Sequence, residues 1–235
     1  MDNLYEPVIW YIVFLFSVTL HEASHAFIAQ KGGDDTAYLG GQVSLDPIPH
    51  IRRSPFGMVI LPVISLLVYG WPIGFASAPY DPFWADRYPR RAGYMALAGP
   101  ASNFTLVIIA ALLIRLGLAL EVFTFPQQIK FSDVAAAAQP GIWSGIAFVL
   151  GIVFTLNLVL TVLNLIPVPP LDGSGVLTLF LPEDMARKFN DFFRNPLFSM
   201  LGILVAWKIF APVFRVVFGL AIDVLYFDAS YGPGI

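Results

Sequence analysis

Residues Pro7–Ala29 read PVIWYIVFLFSVTLHEASHAFIA, and the fold turns on how this run is taken. Its 23 positions would make a helix of roughly 35 Å, enough to cross a bilayer. Late in the run stands His21-Glu22-Ala23-Ser24-His25. Two histidines four apart on a helix share a face about one turn apart, so both rings can reach one metal ion. Glu22 projects from the neighbouring face, near enough to touch a water beside that ion without binding the ion itself. This is the H-E-x-x-H pattern of zinc hydrolases, in which the carboxylate is the general base. The chain has three histidines and two of them fall here, and ionisable residues inside a span are costly and usually functional. The motif is therefore read as a site placed within a membrane helix.

Composition agrees with that placement. Of 235 residues 57% are hydrophobic and only 12% charged, with a mean hydropathy of +0.74, which points to several spans. A formal charge of -3 with scattered basic residues argues against a nucleic-acid partner. With no cysteine, disulfides, thiol catalysis and cysteine-based zinc sites are excluded. Asp2 and Glu6 precede the first run where a cleaved signal would carry basic residues, so the first span is expected to be retained.

Outward from the motif, residues 30–55 form a polar connection. Gly40-Gly41-Gln42-Val43-Ser44-Leu45-Asp46-Pro47, with Leu39 before it, predicts a short β element near 39–46. A strand edge there could pair with an extended substrate, and a plain surface hairpin fits equally well. His50, the third histidine, reads as a surface or interfacial residue rather than a spare ligand. Residues 56–78 are apolar but broken by Pro62, Gly70, Pro72 and Gly74, with Arg52 and Arg53 before them and Arg87, Arg90 and Arg91 after. Length and flanking charge predict a re-entrant segment that goes in and comes back. Residues 92–120 form the second span. There Gly99 and Asn103 share a face, suited to close approach and to an interhelical hydrogen bond, and Pro100 should bend the helix. Residues 141–166 contain no charge and form the third span, with Asn157, Thr161 and Asn164 on one inward stripe. Beyond it, Glu183 to Arg194 suits an interfacial helix, and 196–227, interrupted by Lys208, Pro212 and Arg215, is expected to give one or two C-terminal helices.

The expected architecture is an all-α polytopic membrane protein. Its three-span core (7–29, 92–120, 141–166) lies within a domain of residues 1–182, followed by the interfacial and apolar helical region 183–235. A catalytic zinc takes three protein ligands and keeps one position open. Without cysteine and with His50 doubtful, the third ligand should be a carboxylate. Asp172 is the best candidate, because a charge-free span and the turn Pro167-Val168-Pro169-Pro170-Leu171 deliver it. For Asp172 to meet His21 and His25 the two spans between them must cross in opposite senses, and 56–78 must make no net crossing. That topology puts three Lys or Arg in each of 31–55, 79–91 and 167–195 and one in 121–140, so the metal lies nearer the cytoplasmic face.

Three motifs in order, His21 to His25, Ala98-Gly99-Pro100-Ala101-Ser102-Asn103, and Asn164-Leu165-Ile166-Pro167-Val168-Pro169-Pro170-Leu171-Asp172-Gly173, resemble the site-2 protease family of intramembrane zinc metalloproteases in a compact form. The likeness covers roughly residues 7–180. It implies one zinc bound by His21, His25 and Asp172, Glu22 as catalytic base, a three-span core and a membrane-spanning protein substrate. A bacterial or archaeal cell membrane is the expected location. The sequence carries nothing like the PDZ or nucleotide-sensing domains of some relatives, and His50-Ile51-Arg52-Arg53-Ser54-Pro55 lacks the acidic residue that many relatives place before a proline there.

Hydrolysis of a peptide bond in or near a transmembrane segment is the expected chemistry, with Asn103 and Asn164 as candidates for oxyanion binding or for tying spans together. Two alternatives belong to other classes: a membrane metal transporter or metal-binding scaffold, and an inactive relative that only binds helices. The first needs no residue like Glu22, and the second would tolerate loss of His21 or His25. Serine and aspartyl chemistry fits badly, since Ser174 has no histidine near it in the chain and Asp172 no second intramembrane aspartate.

Overall fold

The computed structural model describes residues 5–193 and 195–227. In chain order the helices are α1 (Tyr5–Lys31), α2 (Thr36–Leu39), α3 (Pro47–Arg53), a π-helical turn (Phe56–Ile60) leading into α4 (Leu61–Tyr69), α5 (Pro82–Arg87) and α6 (Pro89–Ala119). A two-residue hairpin follows, β1 (Phe123–Thr124) antiparallel to β2 (Ala136–Ala137), and then α7 (Ile142–Asn164). The chain closes with α8 (Asp172–Leu177), a 3-10 turn (Thr178–Phe180), α9 (Glu183–Phe193) and α10 (Pro196–Leu225).

Among the described residues four helices are long and apolar enough to cross a membrane: α1, α6, α7 and α10. Where the sequence left 196–227 open, the structure shows one helix running through Pro212, and α6 likewise runs through Pro100. The amphipathic stretch forms α9, apart from Arg194, which lies outside the described residues.

The chain divides into two compact units. One comprises residues 1–102 and 164–206, the other 103–163 and 207–235.

In the first unit the expected β element near 39–46 does not form. Its place is taken by α2, a turn through Gly40 and Gly41, and α3. Local chemistry explains the difference. Asp34 Oδ1 accepts from the Thr36 N–H and hydroxyl, starting α2, and Gly41, at φ 75, supplies the left-handed residue of the turn that follows. Asp46 Oδ1 then caps α3 through the Ile48 N–H at 2.9 Å, with Pro47 in the first helical position. The glycines and the Asp-Pro pair are thus helix punctuation, and Asp81-Pro82 starts α5 in the same way.

The 56–78 segment doubles back on itself. It goes out as the π turn and α4, ends at Gly70 with φ 78, and returns as extended chain held by Phe75 N–H to Gly57 O at 3.0 Å and Ile73 N–H to Ser65 Oγ at 2.7 Å. Glycine is required where the two limbs touch, because a Cβ on Gly57 would strike Phe75 and one on Gly74 would strike Gly57 O and Phe14.

The second unit packs the later halves of α6 and α10 with α7 and the hairpin. Val107, Ile114, Phe154, Leu158, Phe214 and Ile222 lie in its core, and the Tyr226 hydroxyl donates to Val134 O in the loop that carries the hairpin. Buried in the same unit, Asn103 Nδ2 donates to Asn157 Oδ1 at 2.8 Å, Asn157 Nδ2 to Val153 O, and Thr161 Oγ1 to Asn157 O. The polar stripe read on α7 is therefore turned inward at Asn157 and Thr161, while Asn164, assigned to the first unit, is half-buried.

Candidate metal centre

Three side chains from two distant stretches meet in the first unit. His21 and His25 lie one turn apart on α1 with ring centroids 4.6 Å from each other, and both are buried. Asp172 is the first residue of α8, held by the turn that descends from α7. Its Oδ2 lies 3.1 Å from His21 Nε2 and 3.4 Å from His25 Nε2, and the two Nε2 atoms are 3.0 Å apart. Donors bound to one tetrahedral zinc at about 2.0–2.1 Å are separated by about 3.3 Å, so this spacing suits that ion.

The protonation pattern suits a cation as well. His25 Nδ1 is 2.7 Å from the carbonyl of Met95 on α6. A carbonyl can only accept, so Nδ1 carries the proton and, in the neutral ring, Nε2 presents a bare lone pair. Close to it lies Asp172 Oδ2, which is sealed from solvent and takes no aligned hydrogen bond. Acceptors this close repel unless a cation lies among them. Two imidazole nitrogens and a carboxylate oxygen form a donor set suited to zinc, and the group could hold one metal ion.

Gly99 on α6 makes this convergence sterically feasible. A Cβ built there would overlap the Nε2 atoms of both His21 and His25, so only glycine lets the α6 backbone come this close. Glu22 is buried beside His21 on α1, at 5% exposure. Asp172 also lines a cavity of about 330 Å³ whose wall includes Tyr80, Asp86, Ser174, Thr178 and Asn190, polar groups that can hydrate the approach to the carboxylate. On another face of α1, Leu20, Ala23, Ser24 and Phe27 border an apolar groove of about 570 Å³ together with Val43 and Leu45.

The other sequence candidates fall elsewhere. Asn103 belongs to the second unit and gives its amide to Asn157. His50, read from sequence as surface or interfacial, is fully buried, with Nε2 3.0 Å from Ser44 O, where it pins the turn before α3. Its burial follows from α3 packing on α1. The Met95 contact escaped sequence reading because it is made by a backbone carbonyl, which leaves no mark on residue type. Gly99 was legible as a point of close approach, though not what would approach it.

A profile of peptidase family M50 matches residues 9–207. Curated relatives include YwhC of Bacillus subtilis, 33% identical over 76% of this chain and 72% of its own length. Rip2 of Mycolicibacterium smegmatis is 36% identical over 74% of this chain and 57% of its own, and Rip2 of Mycobacterium tuberculosis 31% identical over 88% and 64%. All three carry zinc-metalloprotease names. No solved structure matches the chain at a significant level.

Proposed function

We propose, on the premise that this chain belongs to peptidase family M50 and is an integral membrane zinc metalloprotease, that it cuts a transmembrane protein within or beside its membrane-spanning segment. The observation that carries this reading is the meeting of His21, His25 and Asp172 on one point beside the H-E-x-x-H helix. One zinc per chain would be held by those three side chains. When bound, it would supply Lewis acidity, polarising the scissile carbonyl and lowering the pKa of a water toward neutrality.

The chain's own residues do the rest. Glu22 accepts the proton of the attacking water and passes it to the leaving amine. Met95 fixes the tautomer and orientation of His25 through its carbonyl. The cavity at Asp172 lets water reach a site otherwise walled by apolar helices. Asn103, committed to Asn157, acts as a tie between helices; Asn164, at the end of α7, is the remaining candidate for supporting the oxyanion. A helical substrate hides its carbonyls in its own hydrogen bonds and must unwind before it is cut, so Gly, Pro or Asn near the scissile bond should favour cleavage. Residues 1–182 form the catalytic core in this reading, with 183–235 an interfacial and C-terminal helical region. The basic residues of 31–55, 79–91 and 167–195 support a metal lying toward the cytoplasmic face of a bacterial or archaeal cell membrane.

The test is reconstitution with a panel of transmembrane peptides, measuring zinc content and cleavage together for the native chain and Glu22→Gln. A protease keeps its zinc and loses cleavage by about 10²- to 10⁴-fold, the usual worth of a positioned general base. A metal transporter or scaffold would be indifferent to the change, and that outcome would sink the proposal.

A further inference from the structure

Helix α10 carries two cations that the catalytic reading leaves unused. Lys208 and Arg215 lie on α10, seven residues apart and hence within roughly 20° of one another around the helix and roughly 10 Å along it. Both are exposed, and neither takes part in an ion pair or hydrogen bond among the described residues.

Depth makes them unusual. Counted from the middle of α10, Lys208 is roughly 4 Å to one side and Arg215 roughly 7 Å to the other, whereas the hydrocarbon half-thickness is about 15 Å. Trp207, Leu204, Val216 and Leu220 around them are apolar and exposed, as a lipid-facing surface should be. Basic side chains at that depth normally face a bundle interior or pair with an opposite charge. Here they do neither, and only 17% of the most apolar window of α10 is buried, against 61% in α1 and in α7.

We propose that the Lys208–Arg215 face of α10 is a docking surface for a transmembrane helix of another protein, one that carries acidic side chains about seven residues apart at matching depth. Charge complementarity selects this occupant. A second copy of the chain offers no suitable carboxylate: in a parallel pair its nearest acidic residue on this helix, Asp223, would sit eight residues beyond the level of Arg215. Glu22, buried on α1, and Asp172, committed to the metal centre, are not available to it. The proposal needs α10 in the membrane but does not depend on which bond, if any, the enzyme cuts.

The test is energy transfer in zwitterionic vesicles between a labelled chain and a labelled Leu/Ala transmembrane peptide carrying two Asp seven residues apart. Because the native sequence has no cysteine, the single label site Ser144→Cys is clean. The expected result is association at a peptide density at least tenfold below that needed by the same peptide with two Asn. Lys208→Gln with Arg215→Gln should erase this preference while zinc content stays that of the native chain. Lys208→Glu with Arg215→Glu should transfer the preference to a peptide with two Lys, which guards against a merely misfolded double variant. Equal binding of the Asp and Asn peptides by the native chain would overturn the proposal. So would a preference that survives in the Gln variant, or one that vanishes in anionic vesicles, where lipid headgroups rather than a helix would be the partners.

Discussion

At the scale of single residues, two imidazole nitrogens and a carboxylate oxygen are held so close together that a cation becomes their common partner. Gly99 is the sharpest test of that packing. Gly99→Ala adds one methyl group where the imidazole Nε2 atoms already stand, so zinc affinity should fall at least tenfold by competition titration while the helical content by circular dichroism is unchanged. Native-like zinc binding in this variant would mean that α6 does not abut the histidines. The contributions differ in how readable they were. His21, Glu22 and His25 could be found from sequence because i, i+4 spacing fixes their shared face whatever else the chain does. Asp172 needed elimination and a crossing argument. Met95 could not be found at all, since its part is played by an atom that every residue has.

At the scale of helices, the long apolar elements were legible because the length of a span is set by the bilayer. The short elements were not. Gly40-Gly41 and Asp46-Pro47 serve equally at the ends of a strand or of a helix, and the choice of helix rests on the Asp34 carboxylate's bonds to Thr36 and on the Asp46 cap. His50 was misjudged for the related reason that a seven-residue helix leaves too little periodicity to show its buried face. In the second unit an amide pair, Asn103 with Asn157, ties α6 to α7 within an apolar core. Asn103→Leu should destabilise the fold by about 1 kcal/mol, because Asn157 Oδ1 then loses its donor in an apolar setting. Asn103→Leu with Asn157→Leu should recover part of that loss in a double-mutant cycle. If Asn103→Leu instead slowed cleavage steeply without changing resistance to denaturation, the amide would be acting on the reaction and the structural assignment would be wrong.

At the scale of the molecule, the crossings decide which loops share a side of the membrane. Residues 31–55, 79–91 and 167–195 should share one face of the membrane, and 121–140 should lie on the other. Single cysteines introduced into the cysteine-free chain at Asp35, Arg90 and Glu183 should react alike with a membrane-impermeant thiol reagent in oriented vesicles, and one at Gln128 oppositely. Matching reactivity at Gln128 and Asp35 would remove the two opposed crossings on which the meeting of Asp172 with the histidines depends. The enzyme class itself is carried by the M50 match along residues 9–207 and by its curated relatives. Geometry adds which of this chain's own residues could do the work.

The most direct measurement is X-ray absorption at the zinc edge of the purified, detergent-solubilised chain, native and Asp172→Ala side by side. The account predicts one zinc per chain with two imidazoles and a carboxylate oxygen at about 2.0–2.2 Å, and loss of most of the metal in the variant. A zinc shell unchanged by Asp172→Ala, or one containing a third imidazole, would contradict it.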